Sequence, residues 1–120
     1  MKRILIADDR AVSRELVREA LESCGYDIVE AGDGLEAVSR TRETRPDLIL
    51  LDLQMPNLDG IGAVRQLRSD PEFADTPVIA LTASAMQSDR EKALAAGFTC
   101  YIAKPISLRT LRAEIERLLT

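Results

Sequence analysis

Pro46-Asp47-Leu48-Ile49-Leu50-Leu51-Asp52-Leu53-Gln54-Met55-Pro56 holds the most apolar run of the 120-residue chain, and that run stops at an aspartate. Four successive branched apolar residues without alternation predict a strand buried on both faces. Such a strand needs a covering layer on each side. The flanks supply candidates. Residues 35–45 read as a helix closed by Pro46, and after the loop Gln54-Met55-Pro56-Asn57 a second helix carries Ile61, Val64, Leu67 and Arg68.

The same alternation extends in both directions. Ile4-Leu5-Ile6-Ala7 is a short buried strand that ends at Asp8-Asp9. Val12, Leu16, Val17, Ala20 and Leu21 follow at helical spacing until Gly25, a natural helix end. Residues 26–31 form a strand ended by Gly32-Asp33-Gly34. Pro77 opens Val78-Ile79-Ala80-Leu81, which ends at Thr82, and a helix runs on to Gly97. A last strand over about residues 99–103 ends at Lys104-Pro105. Ser107 can cap a final helix in which Leu108, Leu111, Ile115 and Leu118 share a face. The pattern is βα five times over: an α/β fold with a five-stranded parallel sheet, doubly wound, and one domain over residues 1–120.

In open α/β sheets ligands bind beyond the carboxyl ends of the strands. Here four of the five strand ends carry polar chemistry: Asp8-Asp9, Asp52, Thr82 and Lys104. In the doubly wound order 2-1-3-4-5, strands one and three are neighbours at the switch point, which gathers three carboxylates beside a hydroxyl and an ammonium. At about 4 Å and an effective dielectric of about 20, each carboxylate pair costs roughly 4 kcal/mol before screening. A raised pKa or a bound cation relieves that repulsion. Oxygen ligands without imidazole or thiolate favour a hard cation such as Mg²⁺. Each residue alone has a plainer explanation, as a helix-end charge, a loop residue, a cap or a solvated lysine; their convergence does not.

Composition bounds the rest. The net charge of −4 argues against nucleic acid as the main partner. There is no histidine, which removes the commonest general base. Aromatics are 3% of the chain, so the core is aliphatic. Cys24 and Cys100 lack metal-site or redox spacing and are expected to be reduced packing residues. No stretch suits a membrane span or a signal peptide, so a cytoplasmic protein is expected.

The motifs Ile4-Leu5-Ile6-Ala7-Asp8-Asp9, Pro46 to Pro56 with Asp59-Gly60, Ala80-Leu81-Thr82-Ala83 and Tyr101-Ile102-Ala103-Lys104-Pro105 resemble those of receiver domains of two-component response regulators, across the whole chain. The resemblance implies the flavodoxin-like receiver fold with order 2-1-3-4-5. It implies that Asp52 is the phosphoacceptor, attacking a phosphohistidine of a sensor histidine kinase or phosphotransfer protein. Asp9, Asp52 and the backbone carbonyl of Gln54 would ligate Mg²⁺, with Asp8 acting through water. Lys104, the Thr82 hydroxyl and the Ala83 N–H would hold phosphoryl oxygens. Thr82 and Tyr101 would form the switch that remodels the face of the fourth helix, fifth strand and fifth helix for a downstream protein target. A cis bond before Pro105 is expected, and Gln54 and Ser84 occupy the positions that tune acyl-phosphate lifetime. The implied protein is a switch that catalyses only its own phosphorylation and dephosphorylation, as a monomer or weak phosphorylation-dependent dimer.

Rival chemistries fit less well. An aspartyl phosphatase of the haloacid-dehalogenase type needs a second aspartate where Gln54 stands. A flavodoxin-like FMN carrier needs a phosphate loop where Asp8-Asp9 stand. A degenerate receiver serving only as a scaffold would lack a key residue, and none is missing. With no output segment after the last helix, a stand-alone regulator or the receiver module of a hybrid histidine kinase is expected.

Overall fold

Strand β3 (Leu48–Asp52) lies at the centre of a five-stranded parallel sheet, and all five of its residues are buried. The computed structural model describes residues 1–83 and 86–120. Around β3 the sheet runs β2 (Asp27–Ala31), β1 (Arg3–Ala7), β3, β4 (Val78–Thr82), β5 (Cys100–Ala103), the expected order 2-1-3-4-5. The register pairs Leu5 with Val29 and Ile49, Leu51 with Ala80, and Thr82 with Ala103.

Helices cover both faces, as unbroken apolar strands require. On one face α2 (Gly34–Thr44), α3 (Gly60–Arg68) and α4 (Gln87–Ala96) bury Ala37, Val38, Ala63, Val64, Leu67, Ala93 and Ala96 against Leu5, Ile49, Leu51 and Ala80. On the other, α1 (Ala11–Glu22) and α5 (Leu108–Leu119) bury Val17, Leu21, Leu111 and Ile115 against Ile4, Ile6, Leu48 and Leu50. Fully burying one such side chain stabilises the fold by about 1.5–3 kcal/mol.

Local signals behaved as their chemistry dictates, with some shifts. The Ser107 side chain accepts from the Thr110 N–H and caps α5. Helix α1 stops at Glu22, earlier than Gly25 suggests, and Gly25 turns the chain at φ +91°. Strands β3 and β4 extend by one residue to include Asp52 and Thr82 themselves, while Tyr26 and Thr99 fall outside their strands. A 3-10 turn at Pro71–Phe73, not foreseen, is capped by Asp70 and buries Phe73. One apolar stripe is only partly covered, and one packing expectation fails. Val12 and Leu16 on α1 are 71% and 62% exposed, because only the Val17–Leu21 side of the helix meets the sheet. Cys24 is exposed beyond the end of α1 instead of packed, whereas Cys100 is partly buried; both are free thiols.

Candidate functional site

The carboxyl edge of β1 and β3 brings the three aspartates together. One carboxylate oxygen from each of Asp8, Asp9 and Asp52 lies within 4.8 Å of the other two. Asp8 and Asp52 are buried and Asp9 is exposed. The backbone builds this edge. The Asp8 N–H makes a bond to the Ala31 carbonyl of β2, and the Arg10 N–H then donates to Asp8 Oδ1 at 2.9 Å. The Gln54 N–H donates to Asp52 Oδ1 at 3.0 Å. Gly60 opens α3 against the same turn: a Cβ there would lie 2.5 Å from the Asp52 carbonyl oxygen, so only glycine lets the helix start this close.

Lys104 arrives from the end of β5. Its Nζ donates to Asp52 Oδ2 at 2.9 Å and to Asp8 Oδ2 at 3.2 Å. The lysine is partly buried, its side chain 23% exposed. Burial works to lower its pKa, but the hydrogen bonds and charges of Asp52 and Asp8 outweigh it and hold the ammonium above the ordinary lysine value. The Lys104-Pro105 bond is cis, as expected.

Asp9, Arg10, Asp52, Gln54, Ala83 and Lys104 line one cleft of about 170 Å³. Thr82 is buried at the end of β4, one residue before Ala83. Tyr101 is half-buried on β5, opposite Ala80, and packs on the α2–α4 side of the sheet. Ser84 lies outside the described residues. A second, larger groove of about 350 Å³ adjoins the cleft, with Leu16, Val17, Pro105, Ile106 and Leu108 in its mostly apolar walls and Asp8 and Lys104 at its edge. Among the described residues, no further group of three acidic or thiol side chains is placed to share a cation. The donor set is all oxygen, which suits a hard divalent cation better than zinc or copper.

Sequence reasoning missed two contacts that frame the site. Arg14 Nη1 donates to the Asp8 backbone carbonyl, and Asn57 Nδ2 donates to Asp33 Oδ2, tying the loop after β3 to the loop after β2. Both join residues that no local pattern relates. Asn57, at φ +68°, takes a left-handed conformation that asparagine tolerates, which is the one local signal available.

The response regulator receiver domain family matches this chain over residues 4–116. The polar-differentiation response regulator DivK of Brucella anthropi is 41% identical over 107 residues, covering 89% of this chain and 87% of that protein. Among solved structures, the chemotaxis protein CheY4 of Vibrio cholerae superposes with a TM-score of 0.93 at 30% identity, covering 99% of each chain. The receiver domain of the sensor histidine kinase PA1611 of Pseudomonas aeruginosa, solved with a magnesium ion coordinated in its active-site cleft, gives 0.91 at 37% identity over 98% of this chain and 97% of that one. The chain belongs to the response regulator receiver domain family. It is a phosphorylation-activated signalling switch, not an enzyme in the ordinary sense.

Proposed function

We propose that Asp52 accepts the phosphoryl group from a histidine kinase or a phosphotransfer protein, and that Asp8, Asp9 and Asp52 with the Gln54 carbonyl hold the Mg²⁺ this transfer needs. The observation that carries this reading is the convergence of three carboxylates and Lys104 on one cleft at the strand ends. An Asp52 carboxylate oxygen forms a bond to phosphorus while the bond from phosphorus to the donor's imidazole nitrogen breaks, its electron pair returning to the imidazole. When bound, the cation would neutralise oxygens of the transferring group. The work of this chain is positioning and charge.

Lys104 already sits at the Asp52 carboxylate and can follow the developing charge onto a phosphoryl oxygen. The Thr82 hydroxyl and the Ala83 N–H would hold the other oxygens. Drawing Thr82 toward the phosphoryl group would free space for Tyr101 to turn inward, altering the face of α4, β5 and α5. Moving such an equilibrium from 1:99 to 99:1 takes about 5.5 kcal/mol of differential interaction. Charge-assisted contacts from Lys104 and a new Thr82 bond are of the right size to supply much of it.

A protein phosphodonor also suits the apolar groove beside the cleft, where Leu16 and Leu108 are exposed. No described helix is long and apolar enough to cross a membrane, and a cytoplasmic location fits a kinase partner. The test is incubation with Mg²⁺ and acetyl phosphate followed by intact mass. Wild type should gain one phosphoryl group and Asp52→Asn none. Equal labelling of the mutant would overturn the assignment.

A further inference from the structure

Two of the three clustered carboxylates sit on the turn between β1 and α1, so the turn's geometry sets theirs. The Asp8 N–H bonds to β2 through the Ala31 carbonyl at 3.1 Å. The Asp8 carbonyl lies past the last residue of β1, and its partner is a side chain: Arg14 Nη1 donates to it at 2.6 Å. The same guanidinium places Nε 3.3 Å from Glu30 Oε1 on β2. Both side chains are mostly shielded from water, Arg14 at 21% and Glu30 at 26% exposure. One residue of α1 thus ties that helix and β2 to the peptide that joins Asp8 to Asp9. The orientation of that peptide is one determinant of where both carboxylates point, beside the contacts that Arg10 N–H and Lys104 make to the Asp8 carboxylate. Glu30 in turn is held on its other oxygen by Arg18, which also pairs with Glu22.

We propose that Arg14 is a positioning residue for the divalent-cation site, fixing the Asp8–Asp9 peptide so that the three carboxylates converge before a cation arrives. The proposal rests on the assignment of Asp8, Asp9 and Asp52 as the cation site. Arg is suited to this because its planar fork can hold a carbonyl and a carboxylate at once; a lysine offers a single point charge. Groups that orient metal ligands typically change affinity 10- to 100-fold when removed.

The experiment is a Mg²⁺ titration of the full chain followed by backbone amide NMR shifts, with urea unfolding of each variant in Mg²⁺-free buffer. Arg14→Gln should weaken Mg²⁺ binding roughly tenfold. Arg14→Lys should weaken it less, and it remains informative if Arg14→Gln does not fold. Arg18→Gln, which loses pairing to Glu30 but keeps the Arg14–Asp8 contact, should bind Mg²⁺ like wild type whatever its stability. Wild-type affinity in folded Arg14 variants would overturn the proposal, as would equal weakening by Arg18→Gln, which would mean that packing of α1 on β2 is all that matters. A wild-type chain without any Mg²⁺-dependent shift would instead overturn the cation-site reading, and this proposal with it.

Discussion

Asp52 alone is an ordinary aspartate at the end of an apolar strand, and its neighbours set it apart. Lys104 pairs with Asp52 and Asp8, which leaves Asp9 as the carboxylate whose charge that lysine does not meet. Asp9→Asn should therefore stabilise the protein in Mg²⁺-free buffer, by about 1 kcal/mol for a pair within 4.8 Å in a water-like dielectric. On the proposed cation site, Mg²⁺ should raise the stability of wild type by binding the folded state, and Asp9→Asn should abolish that rise. Urea midpoints with and without Mg²⁺ check both. Cys100 offers a second test. Burial first, and the charge of Glu114 after it, push its thiol up from 9.0 to about 11. Because the folded value is raised, this contribution to stability is complete below pH 9 and declines as pH rises toward 11. Alkylation near neutral or mildly alkaline pH should label the exposed Cys24 well before Cys100, read by peptide mass. The meeting of Asp8, Asp9, Asp52 and Lys104 was legible in the sequence because each lies at or just after the end of a strand. Arg14 was not, since its partners are a backbone carbonyl and a residue sixteen positions away.

At the scale of elements, unbroken apolar runs located β1, β3 and β4 well, because the middle of a strand covered on both faces is apolar. Helix α1 was harder to read. Its apolar residues span more of the helix surface than the sheet covers, and spacing alone does not say which of them are buried. Leu21→Ala should cost about 2–5 kcal/mol, the range for truncating a fully buried leucine, whereas Leu16→Ala should stay within about 0.5 kcal/mol. Urea unfolding of the two variants separates them. A large loss at Leu16 would mean that α1 packs on its other side. The 3-10 turn at Pro71–Phe73 was announced only by Asp70-Pro71, a cap and a proline at the first position, within a segment too short for periodicity to show.

At the scale of the molecule, five βα units implied a parallel sheet, but the alternation does not by itself order the strands. The order was partly borrowed from the family resemblance, and the sheet carries it: β1 and β3 are neighbours, so Asp8-Asp9 and Asp52 share an edge. The fold thereby turns aspartates more than forty residues apart into one site, with Lys104 brought in from the last strand. The central claim, that this site exists to phosphorylate Asp52, has a direct chemical test. An acyl phosphate is reduced by borohydride, which converts the modified aspartate to homoserine. After incubation with Mg²⁺ and acetyl phosphate, followed by borohydride and peptide mass spectrometry, homoserine should stand at position 52 and at no other aspartate. Homoserine at Asp8 or Asp9 with Asp52 unchanged, or none in a chain that binds Mg²⁺, would contradict it.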